Sequence, residues 1–298
     1  MDPQWDDMKV FLAVARQASL SGAGRVLKLD PATVGRRISR LEAAMQTPLF
    51  VKSPQGYRLS SAGERMQGHA EEAEAAMRAA RDALQGTGER LSGQIRIGAP
   101  DGSANYLLPQ VCARIADDNP ELDIQIVALP RVINLSQREA DMAVTVSQPI
   151  AGSLLVQKIS DYYLHLVASE AYLETHGPIE KLSDLKGKRL IGYIPDMIFD
   201  AELDYLTGLG VARVQLASNS VAVQLKILAQ GAGIGVAHDF TLPAHPGLRK
   251  VLVQDFSLLR GFYLVRHQGD QRSARMNRFA DALCAGVREE VRALEAAA

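Results

Sequence analysis

Apolar residues recur at helical spacing over residues 5–18, where Met8, Phe11, Leu12 and Ala15 share one face. A second helix is expected after Ser19, a good N-cap, with Leu20, Ala23 and Leu27 on one side. Asp30 and Pro31 mark the start of a third. Asp caps well, and the N–H that proline lacks has no partner at the first helical position anyway. This helix runs to about Met45. Alternating apolar positions around a Pro-Gln-Gly turn then predict a small hairpin from Leu49 to Ser60.

From residue 62 to 85 the period changes. Met66, Ala70, Ala73, Met77, Ala80 and Leu84 are spaced 4, 3, 4, 3 and 4 residues apart, an a/d heptad seam. Such a seam either pairs two copies of the chain or packs on its own body. Gln85 to Gly93 breaks the helix and reads as a linker. Beyond it strands are expected at 94–99, 122–129, 140–146, 162–169, 188–194 and 233–238. Helices are expected at 106–120, 222–231 and from Ser273 to Leu294. This alternation predicts an α/β body with a mostly parallel sheet, long enough for two subdomains.

The third helix separates its residues by chemistry. With Val34 at 0° and about 100° per residue, Ile38, Leu41 and Met45 fall within about 40° of it. Arg36 falls near 200°, Arg40 near 240° and Arg37 near 300°. One side is apolar, and guanidinium groups stand on the other. Charge sharpens the picture. The 298-residue chain has a formal net charge of -1, yet from Lys9 to Ser60 nine basic residues face only Asp30 and Glu42. That stretch therefore carries +7 and the remainder -8. A basic module on an acidic body predicts a polyanion partner for the first sixty residues only. Two helices joined by a short turn predict a helix-turn-helix, whose second helix enters the DNA major groove. A merely solvated charged face is the alternative for the arginines. The basic hairpin, with Lys52 and Arg58, would serve as a wing on the phosphate backbone.

These residues resemble the DNA-binding domain of LysR-type transcriptional regulators. The resemblance rests on Phe11, Ser19-Leu20-Ser21, Gly35-Arg36-Arg37-Ile38, Leu41-Glu42, Pro48-Leu49-Phe50 and Ser60-Ser61-Ala62-Gly63. It continues more loosely in "READMAV", "HLVASEAYLETHG", "LSDLKGKRLIGY" and "AQGAGIGVAH". Gly22, Gly24 and Gly35 depart from it, each costing a helix about 1 kcal/mol relative to Ala. At Gly35 either a close approach to DNA or tight packing on the first helix would account for the glycine. The resemblance implies a winged helix-turn-helix over 1–61, a linker and dimerisation helix over 62–92, and a periplasmic-binding-protein-like body over 93–298. That body would have two Rossmann-like subdomains, one about 93–160 with 267–298, the other about 161–266. The DNA-binding set is then Ser19, Ser21, Asp30, Pro31, Ala32, Thr33, Gly35, Arg36, Arg37, Arg40, Lys52 and Arg58. The partners implied are double-stranded DNA, a small-molecule effector of unknown identity, and a second copy through 62–85 in a homodimer or homotetramer.

The effector would bind between the subdomains. "GAPDGSAN", Gly98 to Asn105, follows a strand and opens a helix, so its backbone N–H groups would favour an anion. This nominates Pro100, Asp101, Ser103 and Asn105, although the Asp101 carboxylate would repel an anion. It would instead cap the helix or select a cationic or hydroxylated effector. The resemblance adds Arg131, Ser147, Tyr193 and His238. No catalytic or metal site and no cofactor are expected. The Gly231 to Gly235 run lies between helix and strand, the reverse of a dinucleotide fingerprint, and the six histidines lack ligand spacing. Cys112 and Cys284 would be either a redox pair or two buried structural thiols. No run reaches the roughly 18 apolar residues of a membrane span, and the polar N-terminus does not resemble a secretory signal, so the cytoplasm is expected. The competing reading is a small-molecule-binding protein or enzyme whose N-terminal module only dimerises.

Overall fold

The computed structural model describes residues 2–53, 56–85, 90–128, 139–149, 154–210 and 213–298. They divide into two compact units. One holds the N-terminal elements together with His267–Asn277. The other runs from Arg90 to Arg266, leaving out Asn134–Glu139, and resumes at Arg278.

The first unit begins with α1 (Trp5–Gln17), α2 (Leu20–Leu27) and α3 (Pro31–Met45). Ser19 accepts a hydrogen bond from the Gly22 N–H and Asp30 one from the Ala32 N–H, so both act as the N-caps their sequence positions predict. Each helix ends in a left-handed residue, Ala18, Lys28 and Gln46 in turn. Phe11, Leu12 and Val14 of α1, Ala23 of α2, and Val34, Ile38 and Leu41 of α3 form one core. The hairpin β1 (Phe50–Ser53) and β2 (Gly56–Leu59) follows, pairing Phe50 with Leu59 and Ser53 with Gly56. Its Phe50 ring lies 5.3 Å from Phe11 and 5.9 Å from Tyr57, which fixes the hairpin to the core. The helix α4 (Ser61–Gln85) closes the unit.

Among the described residues the body is a nine-stranded sheet in the order β4-β3-β5-β11-β6-β9-β7-β8, with β10 also on β6. Its strands are β3 (Ser92–Ala99), β4 (Glu121–Ala128), β5 (Met142–Thr145), β6 (Leu154–Ser169), β7 (Leu190–Gly192), β8 (Leu216–Ala217), β9 (Ile234–His238), β10 (Leu248–Val251) and β11 (Leu258–His267). The pairs β3–β4, β3–β5, β7–β8 and β7–β9 are parallel; β5–β11, β6–β9 and β6–β10 are antiparallel. The sheet is therefore mixed. Its antiparallel pairs all involve β6 and β11, the long strands that join the β3-β4-β5 half to the β7-β8-β9 half. Helices α5 (Asp101–Tyr106), α6 (Leu108–Asp118), α7 (Glu170–His176), α8 (Val221–Ala229) and α9 (Ala274–Ala296) complete the body. The helix expected over 106–120 spans Leu108–Asp118, with Leu107 as its N-cap and Pro109 in the first turn, where a missing N–H costs nothing. Gly233 is required by packing: a Cβ there would lie 2.4 Å from the Arg189 carbonyl oxygen.

The buried thiols Cys112 and Cys284 are free, and burial pushes both up to about 11, which leaves them protonated and unreactive at neutral pH.

Gly24 also has a packing reason. A Cβ there would lie 2.6 Å from the Leu29 carbonyl oxygen, in the turn that delivers α3. Alanine normally favours a helix by about 1 kcal/mol over glycine. Gly24→Ala is nonetheless expected to lower the melting temperature. An unchanged or raised midpoint would contradict this close approach.

Candidate nucleic-acid interface and ligand cleft

Val34, Ile38 and Leu41 are buried at 0 to 3% exposure, and α3 turns the opposite side outward. Ser21, Asp30, Pro31, Ala32, Arg36 and Arg40 are exposed there, while Ser19, Thr33, Gly35 and Arg37 are partly so. The structure gives the arginines different roles. Among the described residues Arg36 donates only to the Thr33 hydroxyl, at 3.1 Å, and the residue is exposed. Arg40 donates from Nε and Nη2 to both oxygens of Asp7 on α1, at 2.6 and 2.5 Å. That hydrogen-bonded pairing raises the guanidinium pKa above its ordinary value. Asp7 is 1% exposed, and its charge is tolerable inside because Arg40 answers it. Helix geometry alone placed Arg40 beside Arg36 and could not show this partner 33 residues away.

Lys52 and Arg58 are exposed on the hairpin, Lys52 with its ammonium 5.8 Å from the Tyr57 ring centre. The hairpin is positioned by Glu42, whose Oε1 accepts from the N–H groups of Leu49 and Phe50. A Cβ at Gly35 would meet only Leu20 Cδ1, at 3.4 Å, so packing on α1 does not require this glycine. Along α4, Ala70 is buried and Met66 packs on the module's core, while Met77 is 57% exposed. The start of the seam therefore packs on its own unit, while its middle is uncovered. Arg16 of α1 forks Glu74 of α4 at 3.2 and 2.8 Å, tying the helix to the module.

In the body, the loop after β3 works differently from the expectation. α5 is a single short turn, and the anion comes from it rather than to it. Asp101 Oδ2 accepts from the Ser220 hydroxyl at 3.0 Å and the Ala222 N–H at 3.1 Å, both at the start of α8. Asp101 thus caps a helix of the other half. Asn105 donates to the Asp101 carboxylate and carbonyl. Ser103 is turned inward, donating to the Pro100 carbonyl at 3.1 Å. Ser147 donates to the Asp200 carboxylate, a second contact between the halves. His238 is buried and its Nε2 lies 3.3 Å from the Tyr205 hydroxyl. Gly102 sits so close that a Cβ there would be 3.5 Å from the His238 ring. Tyr193 packs edge-on to Tyr205 at 5.7 Å, and burial pushes its hydroxyl pKa upward. Arg131 lies outside the described residues.

Sequence reasoning missed Asp7, Tyr162, Asp200, Glu202, Tyr205, Ser220 and Arg260. Ser220 carried a signal, since a serine before the apolar run 221–229 is a helix start. Tyr205 carried none, lying among short 3-10 turns without periodicity. Among the described residues no cluster of His, Cys, Asp or Glu could hold a metal, and no helix is long and apolar enough to cross a membrane.

A family model described as the bacterial regulatory helix-turn-helix protein, lysR family, matches residues 5–64, and one described as the LysR substrate binding domain matches residues 88–287. The probable HTH-type transcriptional regulator LtrA of Klebsiella pneumoniae is 26% identical over 79% of this chain and 77% of its own. The HTH-type transcriptional regulator DmlR of Escherichia coli is 25% identical over 61% of this chain and 60% of its own. The full-length LysG of Corynebacterium glutamicum, solved with the effector Arg bound, superposes with a TM-score of 0.65 at 16% identity, covering 95% of this chain and 98% of its own. LtrA and DmlR are named as regulators, not enzymes.

Two outcomes follow from the geometry. Arg40→Ala leaves Asp7 buried without its cation, so it is expected to lower the melting temperature of the N-terminal unit. Asp7→Leu combined with Arg40→Leu recovers part of that loss; a single variant as stable as the wild type would contradict the pairing. Burial pushes His238 down to about 4. Between pH 6.5 and 4 the unfolded chain therefore takes up a proton that the folded imidazole refuses. Stability falls as pH drops through that window, by about 3 kcal/mol in full, and is unaffected by this group above it. Urea midpoints at pH 7 and pH 4 should diverge more for the wild type than for His238→Gln; parallel losses would refute the assignment.

Proposed function

The chain belongs to the LysR family of bacterial helix-turn-helix regulators, and from that premise we propose how its parts divide the work. It is a transcriptional regulator with a DNA-binding domain and an effector-binding domain. α3 is the recognition helix. Arg36, with Thr33, Ala32 and Pro31 at the same end, meets base edges in the major groove, where an arginine fork reads guanine bidentately. Arg37 and the hairpin residues Lys52 and Arg58 neutralise phosphates, together with Ser19, Ser21 and the approach that Gly35 leaves open. Asp30 caps the helix, and Arg40, held by Asp7, fixes its angle at the DNA-facing side.

Two chains pair through residues 62–85, with Met77 and Ala80 in the seam, and two such dimers make a tetramer. The paired recognition helices then meet successive major grooves of a pseudo-palindrome. A small molecule between the halves of the body changes their angle and so the DNA geometry. In this reading Pro100, Asp101, Asn105, Ser147, Tyr193 and His238 sense it, with Ser103 in support, and Arg131 belongs to the same proposed set. A DNA partner makes the cytoplasm its place of work.

The observation that carries this reading is the solvent-facing Arg36 fork opposite the buried Val34-Ile38-Leu41 stripe. Arg36→Ala is expected to weaken binding to the operator by about 1–3 kcal/mol at fixed salt and to relax specificity at one position. Unchanged affinity and sequence preference in a fluorescence titration would overturn it.

A further inference from the structure

We propose that Asp101 determines what the cleft accepts: its carboxylate fills the anion-binding start of α8, leaving a tyrosine-lined, net-negative site that takes a small organic cation and refuses carboxylates. This rests on the reading of the body as an effector domain.

Three observations carry it. The first is occupancy. The start of α8 offers the Ser220 hydroxyl and the Ala222 N–H, the pair of donors a ligand carboxylate would use, and Asp101 already takes both. The second is charge. Around the tyrosine cluster the described residues bring Asp101, Asp200 and Glu202, against Arg260, which is paired with Glu202 at 2.6 Å; Asp204 and Arg213, one charge of each sign, line the cavity beside Tyr193 and Tyr205. Asp200 is already answered by hydrogen-bond donors, the Ser147 hydroxyl and the Glu202 N–H, not by a cation. His238 adds no positive charge at neutral pH. A further carboxylate entering here would meet like charge, whereas an ammonium group would balance it.

The third is an unanswered polar group. Among the described residues the fully buried Tyr162 hydroxyl has no hydrogen-bond partner. Its ring is stacked on Phe262 at 4.2 Å and lies 5.5 Å from His238. His238 in turn meets the Tyr205 hydroxyl at 3.3 Å, so Tyr162 belongs to the same ring cluster. A buried hydroxyl left unbonded is costly, and a ligand N–H is the donor it lacks. Tyrosine faces beside carboxylates are the usual surroundings of an organic ammonium.

Isothermal titration of the full-length chain with n-butylammonium and with butyrate, at constant ionic strength, tests this. The wild type is expected to bind the amine and not the acid. Asp101→Ala frees the start of α8 and is expected to bind butyrate at least tenfold more tightly than the wild type does. Asp101→Asn keeps an oxygen for Ser220 and Ala222, so it retains the fold while its affinity for the amine drops at least tenfold. Butyrate binding to the wild type, no heat with the amine, or equal amine affinity in wild type and Asp101→Asn would each overturn the proposal. Operator binding measured on the same preparations keeps the two readings apart. Its loss in the wild type counts against the regulator reading, while these titrations speak only to the cleft.

Discussion

Burial of one stripe of α3 is the constraint on which the N-terminal unit depends. Val34, Ile38 and Leu41 complete the core made by Phe11, Leu12, Val14 and Ala23, and a helix that hides these positions must expose Arg36. The same helix then organises its neighbours. Its Glu42 receives the backbone of the hairpin, and its Arg40 meets the buried carboxylate of Asp7. Apolar burial fixes which side faces out, and the ion pair fixes its angle against α1. The positive charge that remains at liberty is what DNA would meet.

The body follows a related rule with the opposite charge. The body's halves are built on separate parallel strand sets and meet through polar contacts, Asp101 with the start of α8 and Ser147 with Asp200. Between these contacts lie rings, Tyr162, Tyr193, Tyr205 and His238, whose polar atoms are only partly answered. Such a boundary is held together by few bonds and is sensitive to anything that competes for them. That is the physical requirement of a domain that converts ligand binding into a change of angle.

Much of the first unit was legible because its signals are local. Helical period, the Ser19 and Asp30 caps and the turn chemistry all act within a few residues, and α3 begins at the predicted proline and ends at the predicted methionine. Pairings across the chain were not legible. Asp7 and Arg40 are 33 residues apart, and Asp101 and Ser220 are 119 apart; neither period nor capping encodes such a meeting. β8, β10 and β11 were not predicted; β8, with two residues, is too short to carry a period. The 3-10 turns over Pro195–Leu209 are set by tertiary contacts rather than by propensity, which hid Asp200, Glu202 and Tyr205. The Ser103 hydroxyl is claimed by the backbone of its own turn, a local bond that residue type alone does not reveal.

The proposed role of α3 requires that it face the duplex with its arginines unequal. A structure of the full-length protein on its operator measures this directly. The expected result is the Arg36 guanidinium on a base edge in the major groove with Arg40 still forked to Asp7. DNA lying against another face of the unit, with Arg36 left in solvent, would contradict it.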